Sequence, residues 1–246
     1  MTLPAKRVVV VGATGGIGTA VVERLLAERA KVVALDVPGS SDPVPAGALF
    51  LDTCDLLSDS TVESSMIAAA DYLGGIDAVV NAAGVTARGD VSHTTVDEWD
   101  RVLNINCRGS FLLAKHSFPF LKEGISPKLV IVASQLGLVG APKAAAYCAS
   151  KGAVIQLVRA LAIDWAQDGI VVNAVCPGPT ETPMLDEHFR SSEDPARERL
   201  QFERAMLTGR LVTPTEVAAV LTFLAVADIG SMTGATIVVD GGYTVT

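Results

Sequence analysis

The most constraining feature of this sequence is a strand-like run that ends in a glycine-rich turn and leads into a helical pattern. Val8 to Val11 are all β-branched, which predicts a strand buried on both faces. The next seven residues, Gly12 to Gly18, include four glycines, and apolar residues then recur at helical spacing from Val21 to Leu26. Such a backbone can approach a pyrophosphate, whose charge a helix N-terminus attracts. The pattern favours a dinucleotide-binding turn over an ordinary tight turn.

Further apolar runs predict six more strands, and helical patterns separate most of them. The runs are 31–35, 48–51, 77–80, 129–133, 170–175 and 236–239. Polar residues or glycine directly follow several of these strands, among them Gly12, Asp36, Asn81 and Ser134. Because ligands bind at the carboxyl ends of strands in parallel α/β sheets, we expect these residues to line one crevice. We find no internal repeat and expect a single domain over residues 1–246.

Asp36 bears on the identity of the dinucleotide. A carboxylate about 20 residues beyond the glycine turn hydrogen-bonds the adenosine ribose hydroxyls and repels a 2′-phosphate. No Arg or Lys occurs from Val37 through Val62 that could bind such a phosphate. The sequence therefore predicts NAD rather than NADP as cofactor; a helix cap or loop acid is the alternative for Asp36.

Tyr147 and Lys151 are one helical turn apart at the start of an apolar-periodic segment that runs to about Gly169. An ammonium held close to a phenol favours the phenolate and lowers its pKa from about 10. We expect this pair to exchange a proton with an alcohol near neutral pH. Taken alone, the spacing describes an ordinary helix surface more often than a catalytic pair.

The composition limits the partners. Half of the 246 residues are hydrophobic, the net charge is −8 and the pI is about 4.9, which argue against nucleic acid and anionic membranes. No run approaches the roughly 20 apolar residues of a membrane span, and the N-terminus lacks a signal-peptide pattern, so a cytoplasmic protein is expected. The cysteines show no metal spacing, so we expect reduced, mostly buried thiols and no metal site. They are Cys54, Cys107, Cys148 and Cys176.

Helix-start patterns occur at Ser60, Thr95 and Thr213, each with Glu three residues later. The second opens a long helical pattern that reaches about Lys122. Residues 183–210 are far more polar than the chain on either side, and we interpret them as a helical lid over the substrate. An exposed surface insertion is the alternative.

Together these residues resemble the short-chain dehydrogenase/reductase family over essentially the whole chain. The motifs that carry the resemblance are Gly12-x-x-x-Gly16-Ile17-Gly18, Asn81-Ala82-Ala83-Gly84, Asn106, Ser134, Tyr147-x-x-x-Lys151, Pro177-Gly178 and Val239-Asp240-Gly241-Gly242. Two positions depart from the family pattern: Val11 replaces a common Thr, and Ala82 replaces a common second Asn.

The resemblance implies a Rossmann-type doubly wound parallel sheet of about seven strands, an NAD-dependent alcohol dehydrogenase or ketone reductase, and a homotetramer. It implies a catalytic tetrad of Asn106, Ser134, Tyr147 and Lys151. The implied cofactor contacts are Gly12, Thr14, Gly15, Gly16, Ile17, Gly18, Asp36, Asp55, Leu56, Asn81, Ala82, Gly84, Tyr147, Lys151, Pro177, Gly178, Thr180 and Thr182. The candidate substrate contacts are Ser134, Gln135 and Tyr147.

Two other functions remain open. One is an NADPH-dependent keto reductase, including one that acts on acyl-carrier-protein substrates, although Asp36 and the acidic pI argue against it. The other is a non-catalytic dinucleotide-binding protein. Reduction of carbon–carbon double bonds is disfavoured, because enoyl reductases of the wider family place Tyr and Lys further apart.

The alcohol itself is not specified, and a polyol, sugar, hydroxy acid or cyclic alcohol all fit. Four arginines of the polar segment could meet a carboxylate, but acidic neighbours make surface ion pairs the favoured interpretation. They are Arg190, Arg197, Arg199 and Arg204.

Overall fold

Seven parallel strands form one sheet in the order β3-β2-β1-β4-β5-β6-β7. The structure, a computed structural model, describes residues 5–40, 43–87 and 89–245. The strands are β1 Arg7–Val11, β2 Lys31–Leu35, β3 Leu49–Leu51, β4 Ala78–Asn81, β5 Lys128–Val132, β6 Val171–Pro177 and β7 Thr236–Val239. This architecture confirms the predicted doubly wound α/β fold. The strand order reverses direction between β1 and β4, where such sheets open a crevice.

Helices cover both faces of the sheet. They are α1 Gly16–Ala27, α2 Asp59–Leu73, α3 Val96–Leu103, α4 Gly109–Lys122, α5 Ala145–Asp164, α6 Pro183–Arg190, α7 Pro195–Ala205 and α8 Pro214–Val226. One aliphatic core joins α2, α4 and α5 to the sheet, and a second joins α1 and α8 to its other face. Because both faces are covered, the central strands are mainly apolar.

The strand register brings the predicted site residues to one edge. Val11 lies opposite both Leu35 and Asn81, so the residues after β1 and β2 and the end of β4 are level. Asn81 in turn lies opposite Ile131, three residues before Ser134. We call this side of the sheet the carboxyl edge.

Two details of the helices differ from the sequence expectations. The cap of α2 is Ser58, whose side chain accepts from the Thr61 N–H, and not Ser60. The long pattern from Thr95 to Lys122 is interrupted by a π-helical turn, Asn104–Arg108. The caps at Thr95 and Thr213 are confirmed, and Thr213 forms a complete capping box with Glu216.

Helix α5 corrects the expectation that no segment resembles a membrane span. This helix of 20 residues is long and apolar enough to cross a membrane, with a mean hydropathy of 1.2 over an 18-residue window. The helix nevertheless packs its Val154–Val158 face into the core beside the sheet. Core helices of globular proteins often meet this criterion, so the match is weak evidence for a membrane segment.

Candidate active site

The glycine turn after β1 is tightly constrained by its neighbours. Gly12 has φ +75°, and a Cβ there would lie 2.5 Å from the Ala83 backbone nitrogen. A Cβ on Gly18 would collide with the Gly12 carbonyl oxygen. The turn therefore brings the start of α1 close to β1 and β4, where no larger residue fits.

The N-terminus of α1 is suited to an anion. Its cap residue, Gly15, provides no side-chain hydrogen bond, and the first turn contains no acidic side chain. The orphan N–H groups and the helix dipole therefore attract negative charge, and no acidic side chain of the first turn competes for them. The residues fit a pyrophosphate.

Asp36 lies directly after β2 and faces this turn. Its carboxylate accepts from the Thr14 backbone N–H at 2.9 Å and from the Thr14 hydroxyl at 2.6 Å. The other carboxylate oxygen accepts from the Val37 N–H. The carboxylate is thus fixed at the carboxyl edge, level with the glycine turn. In a complex, a ribose hydroxyl would meet a carboxylate that Thr14 already orients.

The expected adenine contacts after β3 are of two kinds. Asp55 is partly exposed and accepts from the Leu57 N–H. The Leu56 side chain is buried beneath Gly109, where a Cβ would lie 2.7 Å from the Leu56 Cβ. Only the backbone of Leu56 could therefore face a ligand, whereas Asp55 could use its side chain.

Asn106 lies within the π-helical turn and is buried. Its side-chain oxygen accepts from the Val85 N–H at 2.8 Å, and its nitrogen donates to the Val85 carbonyl and to the Ser150 hydroxyl, both at 2.9 Å. The Ser110 hydroxyl donates to the Asn106 carbonyl and in turn accepts from Asn81. The network ties α5 to the end of β4. The roles of Ser110 and Ser150 could not be predicted from the sequence, because no local pattern distinguishes these serines from others.

Ser134, Tyr147 and Lys151 meet at the end of β5. The Ser134 hydroxyl lies close enough to the Tyr147 phenol to lower the phenol pKa. The Lys151 ammonium lies 5.7 Å from the centre of the Tyr147 ring and donates to the Val132 carbonyl at 2.9 Å. A Cβ on Gly84 would lie 3.2 Å from both the Lys151 nitrogen and the Asn106 oxygen. The structure thus brings all four predicted tetrad residues together.

The protonation of this group differs from the sequence expectation. Burial raises the pKa of Tyr147, and the hydrogen bond from Ser134 only partly opposes that rise. Burial also lowers the pKa of Lys151 to about 8. The phenol pKa is therefore raised and not lowered as predicted, because the loss of water on burial outweighs any stabilisation of the phenolate by Lys151, whose ammonium donates to Val132.

The loop after β6 uses several of its polar groups internally. The Thr180 hydroxyl donates to the Gly178 carbonyl, and the Thr182 hydroxyl caps α6. The Thr182 side chain also packs on Gly16, where a Cβ would lie 2.9 Å from its methyl group. The start of α6 therefore rests directly on the glycine turn.

Gln135 is buried beside Ser134, and its side-chain oxygen has no hydrogen-bond partner among the described residues. A buried polar atom without a partner is costly, so a bound donor could satisfy it. Cys176 lies beside Ser134 as well, and burial raises the pKa of its thiol to about 11. Sequence reasoning did not assign Cys176 to the site, because its neighbours in sequence are apolar. Of the four free cysteines, Cys54 and Cys176 are buried, whereas the other two are half-buried.

A family model described as enoyl-(acyl carrier protein) reductase matches residues 12–244. A meso-2,3-butanediol dehydrogenase from Serratia marcescens is 37% identical over 249 residues, covering 99% of this chain and 96% of the relative. The chain belongs to the short-chain dehydrogenase/reductase family.

Further short-chain dehydrogenases support this assignment. A cis-4-hydroxycyclohexanecarboxylate dehydrogenase from Sinomonas cyclohexanicum is 38% identical over 250 residues, covering 98% of this chain and 97% of the relative. The ligand-free aldohexose dehydrogenase of Thermoplasma acidophilum superimposes with a TM-score of 0.91 at 29% identity, covering 98% of this chain and 95% of that one. Like these members of the short-chain dehydrogenase/reductase family, the chain is an oxidoreductase that transfers hydride with a nicotinamide dinucleotide.

Proposed function

We propose that this enzyme interconverts a secondary alcohol and its ketone with NAD as cofactor. The observation that carries the proposal is the grouping of Ser134, Tyr147 and Lys151 at the carboxyl edge, beside the glycine turn. An acid–base group, an oxyanion partner and a cation share one partly buried site.

Tyr147 is the residue proposed to carry the proton. Its raised pKa keeps the phenol protonated at neutral pH, so it can donate to a ketone oxygen as that oxygen gains charge. In the oxidation direction, the phenolate accepts the hydroxyl proton, which favours alkaline conditions. Ser134 would hydrogen-bond the same substrate oxygen.

Lys151 and Asn106 are proposed to support this step. With a pKa of about 8, Lys151 remains mostly an ammonium at neutral pH and stabilises negative charge on the phenol oxygen. Asn106 fixes Val85 and Ser150 around that amine, and so holds the two helices that carry the tetrad. We propose that it also positions a water between Lys151 and solvent.

NAD, when bound, accepts the hydride from the alcohol carbon or returns it to the ketone. Gly12 to Gly18 would hold its pyrophosphate, Asp36 the adenosine ribose, and Asp55 the adenine. Further proposed contacts on its adenosine and nicotinamide sides are Leu56, Asn81, Ala82, Gly84, Pro177, Gly178, Thr180 and Thr182. The Asp36 carboxylate would repel the 2′-phosphate of NADP, so NAD is the proposed cofactor.

We propose a cytoplasmic homotetramer that acts on a small alcohol with a second polar group. Phe111 on α4 and Ile163 on α5 are large exposed apolar side chains, 49% and 77% exposed, and support burial between subunits. The unpartnered oxygen of Gln135 supports a contact to a second substrate hydroxyl, as in the diol that names one relative. Residues 183–210 are the proposed lid.

The decisive experiment is a coupled test of cofactor and substrate class. Purified enzyme is offered a panel of secondary alcohols and polyols with NAD or NADP, and reduced cofactor is followed at 340 nm. Binding of NADH and NADPH is measured in parallel by fluorescence. We expect turnover with NAD and tighter NADH binding. Tighter NADPH binding would overturn the cofactor assignment, whereas NADH binding with no turnover of any alcohol would support a non-catalytic dinucleotide-binding protein.

A further inference from the structure

A cavity of about 480 Å³ is lined in part by the loop that follows Gln135 and has no role in the function described above. One wall is the loop after Gln135, at Val139 and Gly140, and the opposite wall is the end of α7 with Met206 and Leu207. The C-terminal residues Tyr243 and Thr244 complete it. Its lining is therefore mainly apolar, with a phenol at one side.

The cavity connects to the reacting groups through a short series of contacts. The Val139 N–H donates to the Gln135 carbonyl at 3.1 Å, so the cavity wall begins beside Ser134. A Cβ on Gly178 would lie 2.9 Å from the Gln135 oxygen and 2.8 Å from the Asp240 Cα. Asp240 then accepts from the Thr244 N–H at 2.8 Å. A substrate held at Ser134 could therefore extend into the cavity.

Arg204 is the one formally charged side chain that lines the cavity within the described parts of the chain. The other arginines of residues 183–210 differ from it. Arg199 is bound by Glu181 at 2.6 Å and by Glu203 at 2.9 Å, and Arg190 pairs with Glu187. Arg197, like Arg204, is exposed and has no carboxylate partner among the described residues, but it lies outside the cavity. Within the described residues Arg204 has no carboxylate partner, although the chain has a net charge of −8.

We propose that Arg204 binds a carboxylate of the substrate, and that the substrate is a hydroxy acid. The hydrocarbon part would lie on the apolar wall at Val139, Met206 and Leu207, while the secondary hydroxyl reaches Ser134 and Tyr147. A guanidinium is suited to this role, because it stays charged and presents paired donors to a planar carboxylate. The inference rests on the proposed alcohol dehydrogenase activity and narrows its substrate class.

The test compares hydroxy acids with neutral substrates of the same shape. The substrates are 3-hydroxybutyrate and 5-hydroxyhexanoate, each paired with its amide. The variants are Arg204→Gln and Arg204→Lys, with Arg197→Gln as matched control, because it removes the same charge from the same helix outside the cavity. Steady-state kcat and KM are measured for each substrate with saturating cofactor.

We expect the wild type to prefer at least one acid over its amide by about tenfold or more in kcat/KM, the range of a charged hydrogen bond. Arg204→Gln should remove that preference by raising KM for the acid while leaving the amide unchanged. Arg204→Lys should retain part of the preference, and Arg197→Gln should match the wild type.

Three results would overturn the role of Arg204: no preference for either acid in the wild type, an equal loss on acid and amide in Arg204→Gln, or the same loss in Arg197→Gln. If neutral secondary alcohols are oxidised but neither acid is, the inference is wrong and the proposed function stands. If no secondary alcohol of any kind is oxidised with NAD or NADP, the proposed function fails, and the inference fails with it.

Discussion

Both ends of the central sheet contain buried polar groups, and Asp77 at one end differs from Tyr147 and Lys151 at the other in how its charge is stabilised. At the strand N-termini, which we call the amino edge, Asp77 accepts from the Arg7 backbone and side chain and from the Ile125 N–H. At the carboxyl edge, the side-chain oxygen of Gln135 has no partner among the described residues. Burial raises the pKa of Tyr147 and lowers that of Lys151, so both neutral forms are favoured.

The difference separates groups that hold the fold from groups available for chemistry. At Asp77, burial raises the pKa, but the hydrogen bonds from Arg7 and Ile125 outweigh it, so the pKa is lowered and the charge is stabilised. At Lys151 no carboxylate of the described residues compensates the loss of water, and the pKa falls to about 8. A group that the fold does not satisfy costs stability and is kept where a ligand can use it.

The largest effect expected at the carboxyl edge is on activity. Tyr147→Phe removes only the phenolic oxygen and should reduce kcat by about a thousandfold, within the usual range for loss of an acid–base group. The thermal midpoint should stay near that of the wild type. Tyr72→Phe is the matched control, since Tyr72 is 62% exposed on α2. Near wild-type kcat in Tyr147→Phe would refute the role of the phenol.

At the amino edge the expected effect is on stability. Asp77→Asn should lower the free energy of unfolding by about 2 to 3 kcal/mol, because Arg7 loses its ionic partner. Since the pKa of Asp77 is lowered in the fold, its contribution is present above about pH 4 and is lost as pH falls below that value. Urea denaturation at pH 7 and pH 3 measures both. The kcat per folded molecule should be unchanged. A large loss of kcat would contradict the inference that Asp77 acts on stability and not on catalysis.

Lys151→Met should stabilise the fold, in contrast to Asp77→Asn. Replacement of a buried amine that the fold disfavours should raise the free energy of unfolding at pH 7 by about 1 to 3 kcal/mol, while activity is lost. Between pH 8 and 10.5 the unfolded chain binds more protons than the folded one, so wild-type stability rises with pH. The gap between variant and wild type should therefore close toward pH 10. Denaturation curves at pH 7, 8.5 and 10 measure the difference in stability. A variant less stable than the wild type at pH 7 would contradict the prediction.

The smallest effect is expected from Lys128→Met, which is the matched control for Lys151. Lys128 is buried at the start of β5. Burial lowers its pKa most, and the charge of the nearby Lys6 lowers it further. The substitution should leave kcat and KM unchanged and keep stability within about 1 kcal/mol of the wild type. A loss of activity comparable to that of Lys151→Met would show that the two edges are not functionally distinct.

Much of this contrast was predictable from local sequence. The β-branched run before Gly12 and the polar residues after β2, β4 and β5 predicted a parallel sheet with a site at one edge, and the fold is confirmed. Such inferences succeed because the hydrophobic pattern of a strand or helix and the backbone geometry of a tight turn are set by residues close together in sequence. The i, i+4 placement of Tyr147 and Lys151 succeeded for the same reason.

The predictions failed where the local structure or the pKa of a residue depends on neighbours that are distant in sequence. The π-helical turn around Asn106 depends on hydrogen bonds to Val85 and Ser150, which no helical pattern contains. The raised pKa of Tyr147 depends on how much water the folded chain excludes, and not on the spacing to Lys151 alone. Helix α5 has the composition of a membrane span, yet the sheet provides its apolar surroundings.

The sequence by itself determined the strands, the glycine turn, the family and the residue types of the site, because these follow from short-range geometry and motif order. Only the tertiary structure decided which polar groups are satisfied. It paired Asp77 with Arg7, left the Gln135 oxygen without a partner among the described residues, and placed Arg204 on a cavity with Val139 of the loop after Gln135. The physical reason is that desolvation and hydrogen bonding depend on every element packed around a group, and those elements come from the whole chain.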